Sequence, residues 1–339
     1  MRSLTYVSPG LVEWREVPDP ALRGDQEAIV RPVAASTCDL DQQIVRGKTP
    51  LPGPFAIGHE CLAEIVELGD AVVGLTPGQV VVVAWHISCG QCARCRAGLT
   101  CHCEAVPRAA MFGVPVGGDW GGLFDDFVRI PYARAMLFPV PTDVGWASLV
   151  SASDNQTLAI EALDRHLAQR PGGRVLVLGA RSSGLYAVDG AQALGASEIV
   201  YADTRPARLD LARELGARAV NQMPDADLGE FDVIVDARLN PEWLRAALLL
   251  LSPEGVCETV GPYFQDASFP LFEMYVYGAR YRINRGNVGA HIPRLLDLVA
   301  ANRLRAERIV SETLDWEAAP EALIDPSLKP MFVRAPESF

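Results

Sequence analysis

The sequence predicts a two-domain α/β chain in which an irregular, β-rich domain precedes a doubly wound parallel sheet. Length is the first reason: 339 residues exceed one ordinary core and suggest two. The second is a change of rhythm near residue 145, where short β-rich runs broken by Pro and Gly give way to strands alternating with helices. The third is a burst of cysteines confined to one short stretch of the first half, the mark of a stapled lobe inside a larger domain.

Within residues 1–145, AIVRPVAAS, CLAEIVELG and QVVVVAW read as strands, and PDP, PLPGP and GLTPGQ punctuate them. Residues 146–275 form the second domain. A helix over 155–168 leads to Pro171-Gly172-Gly173 and then to a buried strand, RVLVLGA (174–180). A helix over 183–195, a strand over 198–203, a helix over 206–215 and a strand over 232–237 follow, and such alternation argues for parallel pairing. LRAALLLL (244–251) has the length of a buried helix. Residues 276–339 turn irregular again, with one amphipathic helix near 291–302, and are expected to return to the first domain.

The net charge of −12 argues against nucleic acid and anionic membranes as partners, since both select basic patches. Arginine outnumbers lysine 28 to 2, which reads as codon bias. The N-terminus MRSLTYVSPGLVEW has no long apolar run and carries Glu13 and Arg15, so it does not read as a signal peptide, and no apolar stretch reaches membrane-spanning length. A cytoplasmic location is expected, where thiols stay reduced.

Cys89, Cys92, Cys95 and Cys103 fall in CGQCARCRAGLTCHC with two, two and seven residues between them. Four soft thiolates at such spacing want a tetrahedral zinc or an iron–sulfur cluster. Glu104 follows the last cysteine where ferredoxin runs place proline, which favours a structural zinc in a lobe over about 86–104. Cys101 and His102 compete with Cys103 for the fourth position. A closed four-thiolate site leaves no open position for chemistry, so catalysis is to be sought elsewhere.

The turn after RVLVLGA reads Gly179-Ala180-Arg181-Ser182-Ser183-Gly184 and opens a helix. In dinucleotide folds the first glycine makes the turn, the second lets backbone approach the pyrophosphate, and the third packs helix on strand. Arg181 stands where the middle glycine belongs, placed either to pair with the pyrophosphate or to obstruct it. Asp203, 24 residues after Gly179, lies at the distance expected for a carboxylate on the adenosine ribose, which favours NAD over NADP; Arg205 is the counter-argument.

A second constellation comprises Cys38-Asp39-Leu40-Asp41, Gly58-His59-Glu60 and, at the domain junction, Asp154. One thiolate, one imidazole and one carboxylate would leave a zinc its fourth position for water or substrate.

Taken together, CDLD with IVRG, GHE leading into AEIVELGDAV, PGQVV, SCGQCARC, GGLFDDFVRIP, the glycine turn and Asp203 make the chain resemble the zinc-dependent medium-chain dehydrogenases, the alcohol and polyol dehydrogenase superfamily, over nearly its whole length. The resemblance implies a GroES-like catalytic domain, a Rossmann domain, two zinc ions per chain, a nicotinamide cofactor and a homodimer or homotetramer acting on a small-molecule alcohol. It implies a catalytic zinc on Cys38, His59 and Asp154, with Glu60 as a nearby or alternative ligand, and an acidic third ligand leans toward polyols or sugars. Family members carry a proton relay of Ser or Thr and then His where this chain has Leu40 and Gln43, so Asp39 or Glu60, through water, is the expected proton acceptor. The alternative is a non-catalytic binding protein on a degenerate dehydrogenase fold, which Leu40 and Arg181 would favour.

Overall fold

Strand Ala28–Ser36, buried along nearly its whole length, pairs antiparallel with Glu60–Leu68 and sets the frame of the first unit. The computed structural model describes residues 1–334. The sheet runs Glu312–Asp315, Pro330–Val333, Ala28–Ser36, Glu60–Leu68, Val80–Val83, Leu137–Pro139, and Val128–Ile130 pairs with Ala28–Ser36 off this path. Pro32 lies inside a strand because the register shifts between Pro32 and Ala34, where a residue without an N–H is tolerated. The register that matters for function is Ser36 opposite Glu60. It brings the residue two beyond the end of one strand, Cys38, to the residue just before the start of the other, His59. A smaller sheet joins the hairpin Arg2–Ser8/Leu11–Glu16 to Phe55–Ala56. This unit comprises Met1–Thr157, Asn287–Asn302 and the segment from Val310.

The second unit, Leu158–Gly286 with Arg303–Ile309, holds a six-stranded sheet in the order Arg218–Val220, Glu198–Ala202, Arg174–Leu178, Phe231–Asp236, Leu251–Thr259, Arg280–Ile283. Every pairing in it is parallel. Its central strands Arg174–Leu178, Glu198–Ala202 and Phe231–Asp236 are largely buried apolar runs because helices cover a parallel sheet on both faces. Leu176, Val200, Ile234 and Cys257 pack against Trp243, Leu244 and Leu248 of the helix Pro241–Leu248. The strand order reverses between Arg174–Leu178 and its two neighbours, which makes the carboxyl end of that strand the switch point of the doubly wound sheet.

Two stretches differ from the expectations. LRAALLLL is divided between the end of the helix Pro241–Leu248 and the start of the strand Leu251–Thr259; its uniform apolarity hid the break. The sheet also extends past residue 275 through Arg280–Ile283, a short and largely exposed edge strand that carries no buried-strand signature. None of the described helices is long and apolar enough to cross a membrane.

Candidate active site

Cys38 caps the helix Asp39–Val45. Its Sγ accepts the Leu40 N–H at 3.4 Å, and its own N–H donates to Asp41 Oδ2 at 2.8 Å, a capping box built with a thiol. Gly58 has a φ of +99°, and a Cβ there would come within 2.3 Å of the Phe124 ring, so only glycine turns the chain this way into His59. Asp154 precedes the helix Asn155–Gln169. The neighbouring Ser153 ties that segment to the sheet: its Oγ accepts the Cys61 N–H at 3.1 Å and donates to the Cys61 carbonyl at 3.0 Å.

These elements bring one ligand atom each from Cys38, His59 and Asp154 within 4.8 Å of one another, with all three residues buried. His59 Nε2 lies 3.5 Å from Asp154 Oδ2, and a tetrahedral zinc with bonds of about 2.1 Å sets its ligand atoms about 3.4 Å apart. The other ring nitrogen, Nδ1, lies 3.3 Å from Asp41 Oδ1, and Asp41 is fully buried. A carboxylate behind a ligating imidazole fixes which nitrogen carries the proton and turns the other toward the metal. Burial pushes the Cys38 thiol well up, and the Asp154 charge adds to that push. Burial disfavours a charged His59 ring, yet the Asp41 carboxylate and its other neighbours hold its pKa well above the usual imidazole range. Burial would raise Asp154, and hydrogen bonding with His59 outweighs it and lowers it. Two anionic ligands and an imidazole in a dry site are a donor set that a divalent cation satisfies.

Glu60 does not join this group. Its Oε2 accepts from Lys329 Nζ at 2.5 Å and from Ser151 Oγ at 3.3 Å; its Oε1 accepts from Asn155 N–H at 3.1 Å and Nδ2 at 2.6 Å. Lys329, itself fully buried, also donates to the Thr37 carbonyl at 2.7 Å. Four donors leave Glu60 no lone pair for a metal or an incoming proton, contrary to the expected role as ligand or acceptor. Asp39 sits half-buried at the first position of the helix Asp39–Val45.

The lobe assembles Cys89, Cys92, Cys95 and Cys103 with their sulfurs within 4.8 Å of one another, against about 3.8 Å for thiolates around a tetrahedral zinc. Backbone N–H groups point at the sulfurs: Cys89 to Cys103 and Cys92 to Cys89 at 3.3 Å, Cys95 and Glu104 to Cys92 at 3.4 Å. The Glu104 and then the Cys95 amide draw the Cys92 thiol down to about 6, toward the thiolate a metal needs. Cys101 is not among the four; its Sγ lies 3.2 Å from Asn287 Oδ1.

In the second unit the turn Gly179–Gly184 leads from the strand Arg174–Leu178 into the helix Ser182–Ala193, with Arg181 at its N-cap and Ser182 and Ser183 buried in the first turn. Gly184 lies against the turn: a Cβ there would be 3.3 Å from Gly179 Cα. Gly179 is required by Tyr201, whose hydroxyl would stand 2.6 Å from a Cβ at 179. That hydroxyl donates to Asp203 Oδ2 at 2.9 Å. Asp203 is fully buried, and its remaining lone pairs are also engaged: Oδ1 accepts from Thr204 N–H at 2.6 Å, Arg205 N–H at 3.2 Å and Arg208 at 2.7 Å, while Arg208 Nε lies 2.7 Å from Oδ2. The free carboxylate expected from the sequence is therefore an occupied one, and the Arg205 side chain stands exposed beside it.

Sequence reasoning named Asp41 only as part of the CDLD run and gave no role to it, to Lys329, to Arg208 or to Tyr201. The capping-box spacing Cys38-x-x-Asp41 was a local signal for the first; the others lie far along the chain from their partners or in plain helix and strand positions.

Comparison with known proteins agrees with this architecture. The profile of the alcohol dehydrogenase GroES-like domain matches residues 24–142, and that of the zinc-binding dehydrogenase matches residues 184–301. A glutathione-independent formaldehyde dehydrogenase of Pseudomonas aeruginosa is 32% identical over 244 residues, 68% of this chain, and the match spans 60% of that relative's length. A zinc-type alcohol dehydrogenase B of Aspergillus flavus is 28% identical over 320 residues, covering 89% of this chain and 73% of that one. Among solved structures, the alcohol dehydrogenase TADH from Thermus sp. ATN1 superposes with a TM-score of 0.90 at 31% identity, covering 99% of this chain and 100% of that one. On the sheet order, the ligand geometry and these matches, the chain belongs to the zinc-dependent medium-chain dehydrogenase superfamily.

Proposed function

We propose that the chain is a zinc-dependent oxidoreductase that interconverts an alcohol and its aldehyde or ketone with a nicotinamide dinucleotide. The observation that carries this reading is the convergence of Cys38, His59 and Asp154, three ligands that leave a zinc one open position. Zinc supplies Lewis acidity toward the substrate oxygen, and the dinucleotide supplies the hydride acceptor. Cys38, His59 and Asp154 would hold the ion, with the Asp41 carboxylate, 3.3 Å from His59 Nδ1, orienting the ring from behind. Leu40 and Gln43 offer no proton relay, and Glu60 is committed to Lys329, which leaves Asp39, through water, as the acceptor. A second zinc on the four lobe cysteines would staple the lobe and, with no open position, take no part in turnover.

The acidic third ligand supports polyol or sugar-like alcohols, and Asp203 supports NAD, provided Arg208 releases a carboxylate oxygen to the ribose. We place the chain in the cytoplasm on its eight cysteines, none of them paired in a disulfide. A homodimer is supported by the edge strand Arg280–Ile283 and the neighbouring helix Leu271–Tyr277. Leu271, Phe272 and Tyr275 are 72%, 74% and 82% exposed there, and a second copy would cover both the apolar face and the unpaired edge.

The test is metal analysis with a panel of alcohols. Two zincs per chain, NAD-linked turnover of at least one polyol, and loss of one zinc together with turnover in Cys38→Ser support the reading. One zinc and no dinucleotide binding would establish the non-catalytic alternative. A pH–rate profile left unchanged by Asp39→Asn would remove Asp39 from the proton path.

A further inference from the structure

The sheet's switch point is crossed by a side chain that no sequence motif marks. Arg238 follows the strand Phe231–Asp236, and its Nη1 lies 3.5 Å from the Gly179 carbonyl and 3.5 Å from Asp203 Oδ1. The guanidinium therefore reaches from the end of one strand, over the carboxyl end of Arg174–Leu178, to the end of Glu198–Ala202. Ligands of doubly wound sheets lie in this crevice, with their phosphates against the first turn and the helix it opens.

Arg238 is held there on several sides. Its guanidinium stacks 3.7 Å from the Trp243 ring centroid. The buried Asp236 accepts both the Arg238 and the Leu239 N–H at 3.1 Å, and Leu239 takes a φ of +57°, a left-handed conformation costly for leucine. Burial draws the Arg238 pKa down, the sign of a partly desolvated cation. Asp203 is already paired with Arg208, so Arg238 adds a second guanidinium to a single carboxylate. The first turn, for its part, has lost the glycine whose bare Cα lets a phosphate touch the backbone. A guanidinium fork beside the turn, on the Gly179 carbonyl, would offer charge-assisted bonds to a phosphate placed there.

Resting on the dehydrogenase reading, we infer that Arg238 is the diphosphate anchor of the dinucleotide site, replacing the middle glycine of the turn. It recognises the phosphates that NAD and NADP share.

The test uses the full zinc-loaded chain with ADP, adenosine and NADH as probes, by calorimetry and, for adenosine, saturation-transfer NMR. Arg238→Leu is expected to weaken ADP and NADH roughly 10- to 100-fold, the worth of one charge-assisted contact, and to leave adenosine unchanged. Arg238→Lys, which keeps the charge without the fork and preserves the fold if the leucine variant does not, should lose only part of the ADP affinity. Unchanged or tighter ADP binding in both variants overturns the inference, as does an equal loss for ADP and adenosine. A wild-type chain that binds neither ADP nor NADH overturns the dehydrogenase reading with it; wild-type binding with insensitive variants overturns this inference alone.

Discussion

Replacing Lys329 with methionine isolates the buried Lys329–Glu60 ion pair, whose glutamate directly follows His59 of the candidate site. Lys329 Nζ and Glu60 are both fully buried, 2.5 Å apart, and Lys329 also serves the Thr37 carbonyl. Breaking one side of a buried pair costs about 3–5 kcal/mol, because the remaining charge stays out of water. Asn155 and Ser151 continue to donate three hydrogen bonds to Glu60, which places the expected loss at the lower end, about 3 kcal/mol. The unit that holds the pair has about 200 residues, for which each kcal/mol moves Tm by about 2–4 °C, so the melting point should fall by about 6–12 °C. Differential scanning calorimetry in zinc-replete buffer reads this. The double variant Lys329→Met/Glu60→Gln should recover at least half of the loss, since the amide keeps an acceptor for Asn155 and removes the stranded charge. A loss below about 1 kcal/mol, or a double variant no better than the single, would refute the reasoning.

Three further outcomes are expected. Asp41→Asn should weaken zinc about 10- to 100-fold at the Cys38/His59/Asp154 site while leaving the cysteine lobe intact, read by competition with a fluorescent chelator; an equal loss at both sites would count against its role behind His59. Gly179→Ala should destabilise the chain by about 1–3 kcal/mol, because the new methyl meets the Tyr201 ring and hydroxyl at 2.6 Å, and Tyr201→Val in the same chain should restore most of it; denaturant titration checks both. Asp125 is pushed up by burial to about 7, so the folded chain keeps a proton that the unfolded chain releases above about 4. Wild-type stability should therefore fall as pH rises from about 4 to about 7, by at most about 4 kcal/mol, and Asp125→Asn should lose that slope; parallel stability–pH curves for the two chains would contradict the assignment.

The parallel sheet was legible because its strands are uninterrupted apolar runs separated by helices of fitting length. The convergence of the candidate ligands was legible because spacing constrains them: two residues between thiols make a knuckle, and the GHE run demands a glycine at positive φ. The environments of those ligands were not legible, since they depend on residues brought from far along the chain. Nothing in GHE foretells that Lys329, 269 residues on, will claim the glutamate. Asp203 is the sharper case. Its position after a strand was visible, but its hydrogen bonds depend on Tyr201 lying on the same face two residues earlier and Arg208 five residues later. Arg238 escaped notice because a strand-end arginine has no signature until the sheet order places it over a neighbouring strand.

The Ser36–Glu60 register also governs when the site can come into being. Cys38 and His59 meet only after two strands have paired across a long loop, and a slip by one residue would turn every alternate side chain to the wrong face. Glu60 then has to collect Asn155 and Lys329, 95 and 269 residues away. Contacts so distant in sequence form late, after loop closure has been accomplished elsewhere. The Cys38, His59 and Asp154 cluster is therefore assembled only once these long-range contacts are in place, whereas the four lobe cysteines all lie within one span of 15 residues.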